Sequence, residues 1–220
     1  MIVELNGLPG CGKSTLQKDL ASEYLIEKVG TSSFSGTNKI FKFKKIFLLF
    51  SSSNFNFFLK VRRVFSKQAT TRYLNTYERF IAYLYIIYLF DVYKNSSINI
   101  IIDEGLVQSL VALSIDCTIV ESNLLELISF LKEEGINFKI VNCDISTEDS
   151  FSRHIKRGRR TAAIDFFSEG EFLEFIVRYD KRLEIIRACF RNMGFDNFSL
   201  NMTNSREVIV NNMESVLGEL

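Results

Sequence analysis

The sequence predicts an α/β fold, with a parallel sheet buried between helices on both faces. Three observations carry this. Apolar segments of strand length recur at 2–6, 98–102, 136–143 and 195–201, and several are apolar throughout rather than alternating, as strands covered on both faces are. Segments of helical periodicity alternate with them, and glycines stop three of these at Gly135, Gly158 and Gly194. The first apolar run, Met1 to Leu5, leads directly into GLPGCGKS at Gly7 to Ser14, a glycine loop that opens a helix. Strands and helices taken alternately make parallel crossover units.

The elements follow in order. After strand 2–6 and the glycine loop, Leu16, Leu20, Tyr24 and Leu25 mark a helix over 14–27. A weak strand is expected near 29–34, then helices over 38–50 and 54–67 separated by Ser51 to Ser53. A long helix is expected from about 69 to 93. Its densest run, FIAYLYIIYLF at Phe80 to Phe90, is too short to span a bilayer and is bracketed by Arg79 and Asp91. It reads as a buried core helix, and could also serve an interface between two copies. The turn Asn95-Ser96-Ser97 precedes strand 98–102. Helix 121–134, strand 136–143, helices 147–157 and 169–193, strand 195–201 and helix 204–219 complete the chain. Pro9 is the only proline, so no proline-rich linker divides the 220 residues, a length that suits one α/β domain.

Composition excludes several classes. Lys and Arg number 27 against 26 Asp and Glu, so the chain lacks the global charge of a nucleic-acid binder. Cys11, Cys117, Cys143 and Cys189 are scattered, and His154 is the single histidine, which leaves no ordinary zinc site. Free thiols suit a reducing, cytoplasmic setting. The N-terminus has no basic region before its apolar run, so a signal peptide is not expected. Charge is nevertheless uneven, since no acid occurs from Lys28 to Tyr77. That stretch carries Lys39, Lys42, Lys44, Lys45, Lys60, Arg62, Arg63, Lys67 and Arg72 among many phenylalanines. Three readings stand: a cationic wall around an anionic substrate, an interfacial amphipathic helix, or a solvated lysine face over a packed core.

Gly7, Gly12, Lys13 and Ser14 fit the phosphate-loop pattern GxxxxGK(S/T), with Pro9, Gly10, Cys11 and Thr15 completing the loop and first helical turn. Glycines let successive N–H groups point at a β-phosphate, and the helix N-terminus adds its unpaired donors. Lys13 would bridge the β- and γ-phosphates, and the Ser14 hydroxyl would hold Mg²⁺. Strand 98–102 ends in Asp103-Glu104, which a doubly wound sheet would bring to the same crevice. Asp103 is a candidate for orienting Mg²⁺ or accepting a proton, with Glu104 the second candidate. Helix 147–157 runs into RHIKRGRR. Arg153 and Arg157 share a face, and Arg159 and Arg160 follow Gly158. These cations suit a lid that closes on a transferring phosphoryl group and excludes water. His154, set among them, reads as a surface residue.

These segments resemble the thymidylate-kinase-like group of the P-loop nucleoside and nucleotide kinases. GLPGCGKST resembles the family's phosphate loop, and IIIDEGLVQSL its strand, Asp-Arg motif and serine-bearing helix. FKIVNCDISTEDSFSRHIKRGRR resembles the fourth strand, helix and arginine lid. FLEFIVRYDKRLEII resembles the long helix after the lid, with Tyr179 as its tyrosine, and NFSLNMTNSREVIVNNM the last strand and helix. The resemblance implies a three-layer P-loop NTPase fold with a five-stranded parallel sheet in order 2-3-1-4-5. It implies one domain, with a core at 1–28 and 98–220, an acceptor-side helical segment at about 38–93 and a lid at about 153–163. It also implies ATP and Mg²⁺, with Asn201 to Ser205 beside the adenine. Two features depart from the family. Glu104 stands where the family has the arginine that helps hold an acceptor phosphate, and positions 29–38 lack its Arg-Glu-Pro segment. Either Arg62, Arg63 or Arg72 holds that phosphate, or the acceptor presents a bare hydroxyl with Asp103 or Glu104 as base.

The expected activity is ATP-dependent phosphoryl transfer to a small molecule, either a nucleoside or nucleotide or a non-nucleotide hydroxyl compound such as a sugar. A nucleotide-dependent regulatory ATPase is a second alternative, and an enzyme working on nucleic-acid ends a third.

Overall fold

Every residue of strand β1, Ile2–Asn6, is buried, because this strand lies at the centre of the sheet. It pairs in parallel with β3, Ile100–Ile102, on one side and β4, Lys139–Asp144, on the other. Beyond β3 lies the short β2, Glu27–Val29, and beyond β4 lies β5, Asn197–Asn201. The hydrogen-bonded order is β2-β3-β1-β4-β5, with every pairing parallel. The computed structural model describes residues 1–23, 27–29, 51–65, 76–157 and 163–218. Among these the helices are α1 (Lys13–Glu23), α2 (Ser52–Val64), α3 (Thr76–Asn95), α4 (Leu106–Ser114), α5 (Glu121–Glu133), α6 (Thr147–Arg157), α7 (Glu169–Asn192) and α8 (Arg206–Leu217). A short 3-10 turn, Ala163–Phe166, precedes α7.

The period of two along a strand divides the interior into two cores. Ile2, Ile100, Ile102 and Ile140 face the larger, which α2 to α5 and α7 fill. Val3, Leu5, Ile101, Val141 and Leu200 face the smaller, which α1 and α8 cover. Glu4 and Asn6 share the larger-core face of Ile2, and both have no exposed surface. The apolar helix α3 is a core element, with Leu84 to Ile87, Leu89, Phe90 and Tyr93 all buried. Phe90 stacks on Phe57 of α2 with centroids 4.1 Å apart, and Phe130 of α5 joins them. Among the described residues no helix is long and apolar enough to cross a membrane.

The described part of the basic, phenylalanine-rich stretch is α2. It buries Asn54, Phe57, Val61 and Val64, while Arg62 and Arg63 stay exposed and Lys60 pairs with Glu126. Here the interleaving is a packed face beside a solvated one. The expected helix 38–50, Lys67 and Arg72 lie outside the described residues, as do Arg159 and Arg160.

Several boundaries differ from expectation, and pairing geometry explains them. The first helix is described to Glu23, and Glu27 already belongs to β2, where its N–H donates to the Asn99 carbonyl. The helix expected to reach 67 stops at Val64, because Phe65 bridges Ile119 and the Val64 carbonyl accepts from Val120. Strand 98–102 shortens to Ile100–Ile102, and strand 136–143 begins only at Lys139, where the pairing of Lys139 with Val3 starts. Ile136 and Phe138 are buried as loop residues, so their apolar character marks core and not strand. The last strand begins at Asn197, and the last helix begins at Arg206 after the Ser205 cap. The helix α4 was absent from the periodicity reading.

Gly105, just before α4, seats that helix on the sheet. A Cβ there would lie 2.2 Å from Cδ of Glu4. We expect Gly105→Ala to lower stability by about 1–3 kcal/mol through overpacking, measured by chemical denaturation.

Candidate active site

The glycine loop runs from the C-terminal end of β1 to the first turn of α1. Gly10 and Gly12 hold φ of 81° and 106°, a left-handed backbone that glycine adopts without strain. Lys13 is buried, and its ammonium donates to the carbonyls of Gly7 (3.0 Å) and Leu8 (3.1 Å) and to the Cys11 sulfur (3.5 Å). The loop thus holds a positive charge within its own curve. The contact between the Cys11 and Cys143 sulfurs, with the charge of Lys13, draws the Cys11 thiol well below its usual range. The same contact and burial push Cys143 up. Ser14 and Thr15 are exposed at the head of α1. Gln17 anchors that helix by donating to the Ile101 carbonyl at 2.9 Å.

Asp103 and Glu104, both half-buried, follow β3. Because β3 is the parallel neighbour of β1, their turn stands beside the loop at the carboxyl end of the sheet. Tyr85 of α3 donates to the Glu104 carbonyl at 2.7 Å, which ties the turn to the core. Beneath it lies Glu4. Its carboxylate accepts from the Tyr93 hydroxyl (3.0 Å) and from the Gln108 N–H (3.2 Å) in the first turn of α4. Burial pushes the Glu4 carboxyl up to about 7, although these donors pull the other way.

Helices α6 and α7 close the other side of the loop. Ser150 donates to the Pro9 carbonyl at 2.5 Å. Arg153 donates to the carbonyls of Cys11 (3.3 Å) and Met202 (3.1 Å), linking α6 to the phosphate loop and to the turn after β5. Arg157 is exposed one turn further on. His154 is not the surface residue expected. Its ring stacks on Phe172 at 3.7 Å beside Asp165, and burial pushes its pKa down. From α7, the buried Arg187 donates to the Asn6 side chain (3.0 Å) and carbonyl (3.2 Å), and to Asp144 (3.1 Å) and Glu184 (3.0 Å). Asn6 also donates to Asn142 at 3.2 Å. The hydroxyl of Tyr179 is buried with no hydrogen-bond partner among the described residues. Burial chiefly, with the charge of Glu104 adding, raises its pKa.

Gly7 to Thr15, Asp103, Glu104 and Arg153 are therefore gathered at the carboxyl end of the sheet, with Arg157 one turn beyond. Sequence reasoning missed Glu4, Asn6 and Arg187. A signal existed: two polar residues two apart in an apolar strand, and an arginine within the apolar stripe of α7 between Leu183 and Phe190. Ser14 and Asp103 are hard oxygen donors of the kind Mg²⁺ takes, so both could hold it together with phosphate oxygens and water.

No family model matches the chain, and no curated protein matches it in sequence. Solved structures do match in fold. Deoxyadenosine kinase from M. mycoides with bound dCTP superposes with a TM-score of 0.57 at 14% identity, covering 100% of both chains. Shikimate kinase from Bacteroides thetaiotaomicron gives 0.57 at 15% identity over 100% of this chain and 99% of that one. YorR from Bacillus subtilis, in complex with phosphorylated GDP, gives 0.52 at 17% identity over 100% and 96%. The chain has the α/β fold that these P-loop kinases share.

Two outcomes test this architecture. The folded protein holds a proton on Glu4 that the unfolded chain gives up, so this residue's contribution to stability is present below about pH 4.5 and is lost as pH rises through about 7. Relative to Glu4→Gln, wild-type stability should fall by about 3 kcal/mol from about pH 4.5 to about pH 8, read from denaturation midpoints across pH. Arg187→Met should cost about 1–3 kcal/mol and weaken nucleotide binding, because it frees the Asn6 carbonyl that precedes the loop. Calorimetric titration with an ATP analogue reads the second effect.

Proposed function

We propose that the protein is an ATP-dependent phosphotransferase that moves the γ-phosphoryl group to a small-molecule acceptor, in the manner of nucleoside and nucleotide kinases. The single observation that carries this reading is the juxtaposition of the Lys13 loop with the Asp103-Glu104 turn on adjacent parallel strands. One strand end offers a cradle for polyphosphate and the other offers carboxylates for an acceptor. The fold shared with deoxyadenosine kinase and shikimate kinase supports it. The loop N–H groups of Gly10 and Gly12 and the α1 N-terminus bind the phosphates, and Lys13 exchanges its carbonyl partners for β- and γ-phosphate oxygens. Ser14 and Asp103 would hold Mg²⁺, which would supply charge neutralisation to the phosphates. Arg153, with Arg157 and Arg159 of the lid, offsets charge on the transferring group and excludes water that would compete as acceptor. Glu104, or Asp103 beside it, takes the proton of the acceptor hydroxyl. The thymidylate-kinase-like subtype belongs to the same reading, as does a non-nucleotide acceptor.

The test is turnover with labelled ATP and Mg²⁺ over a panel of nucleosides, nucleoside monophosphates, sugars and hydroxy acids, shikimate included. A phosphorylated acceptor is expected. Slow ATP hydrolysis without any phosphorylated acceptor would favour a regulatory ATPase instead. Lys13→Ala should lower kcat/KM on the order of a hundred- to a thousandfold while the thermal midpoint stays near wild type. Glu104→Gln should lower kcat by about two to four orders of magnitude if Glu104 is the base, with KM for ATP little changed.

A further inference from the structure

The first turn of α4 is a helix N-terminus beside the Asp103-Glu104 turn, where free backbone N–H groups would attract an anion. In this protein those donors are already taken. The Leu106 N–H donates to the Tyr93 hydroxyl at 3.3 Å, and that hydroxyl donates onward to Glu4 at 3.0 Å. The Gln108 N–H donates to the other Glu4 oxygen at 3.2 Å, with the Val107 N–H turned toward the same carboxylate. The anion position of α4 is filled by the protein's own buried carboxylate. Gly105 makes room for it, with the position of a Cβ only 2.2 Å from Glu4 Cδ. Among the described residues, Tyr93 and Tyr85 of α3 and Tyr179 of α7 are the titratable groups that interact with it, Asp103 and Glu104 act on the same Tyr85, and the cation bonded to this face of β1, Arg187, is engaged by Asn6, Asp144 and Glu184. Arginines from the helices packed on α4 serve the loop at its far end. Arg79 meets Asp116 and Cys117, while Arg178 and Arg182 donate to the carbonyls of Ile115 and Cys117.

We propose that Glu4 sets the acceptor class: by occupying the α4 N-terminus beside Asp103 and Glu104 it denies that wall to a phosphate, and the acceptor is an uncharged hydroxyl compound. This rests on the kinase reading above. Glu4 acts through the helix and does not touch the acceptor, so it is a positioning residue for specificity. A free α4 N-terminus would favour an acceptor phosphate by charge-assisted bonds, whereas a filled one beside two further carboxylates repels it.

Binding and transfer can be measured on the full chain saturated with ADP, at about pH 8. The probes are thymidine and deoxyadenosine, each paired with its 5′-monophosphate. Wild type should bind an uncharged probe at least tenfold more tightly than its monophosphate. Glu4→Gln should narrow that ratio by about tenfold through the monophosphate alone, an asymmetry that general loosening of the pocket would not produce. No uncharged probe binding more tightly than its phosphorylated partner overturns the proposal, and so does an unchanged ratio in a folded Glu4→Gln. Should that variant fail to fold, the wild-type ratio decides. Failure of the kinase reading looks different. Efficient phosphorylation of monophosphates by wild type would sink the proposed acceptor class and leave transfer standing. Preferential binding of uncharged probes with no transfer from ATP would sink transfer and leave the acceptor class standing.

Discussion

Two polar side chains in the middle of a buried strand organise this molecule. Glu4 and Asn6 sit on one face of β1, inside the larger core, where an apolar pair would cost nothing to bury. Buried polar groups must find partners or destabilise the fold by a few kcal/mol each. Glu4 takes its donors from α3 and α4, and Asn6 takes the Arg187 guanidinium from α7. Three helices are thereby tied to the strand that launches the phosphate loop. Generic apolar contact would hold the same helices, but with less directional constraint. Hydrogen bonds fix their axial position, and the strand-end turn at 103–105 inherits that position.

The loop itself is braced by opposed charges and dipoles. Lys13 is held by loop carbonyls, Arg153 bonds the Cys11 carbonyl from one side, and Arg187 bonds the Asn6 carbonyl from below. The Cys11 carbonyl, turned toward Arg153, leaves the Gly12 N–H of the same peptide facing the opposite way, as an anion cradle requires. The loop side is thus rich in positive charge, while the turn after β3 beside it carries Asp103 and Glu104, with the buried Glu4 beneath.

Legibility followed the range of each interaction. The glycine loop is a contiguous signal, since Gly7 to Ser14 carry their own backbone geometry, and Asp103-Glu104 could be read as the end of an apolar strand. The apolar helix at Phe80 to Phe90 declared itself as core by composition. In contrast, Glu4 and Asn6 lie in a mostly apolar run, and nothing local sets Arg187 apart from the other charges of its long helix. His154 looked solvent-facing among cations, yet it stacks on Phe172, a partner 18 residues away on the next helix. Ile136 and Phe138 looked like strand because burial and strand pairing leave the same apolar trace.

By itself the sequence determined the alternation of strands and helices, the phosphate loop and the nature of its neighbouring acids, because periodicity and backbone conformation are encoded within a few residues. Tertiary structure alone decided where strands begin and end, since a strand exists only where a neighbour in register supplies its hydrogen bonds. It alone decided the fate of Glu4, whose donors lie 89 and 104 residues away on two different helices. A buried carboxylate has no meaning until those donors arrive.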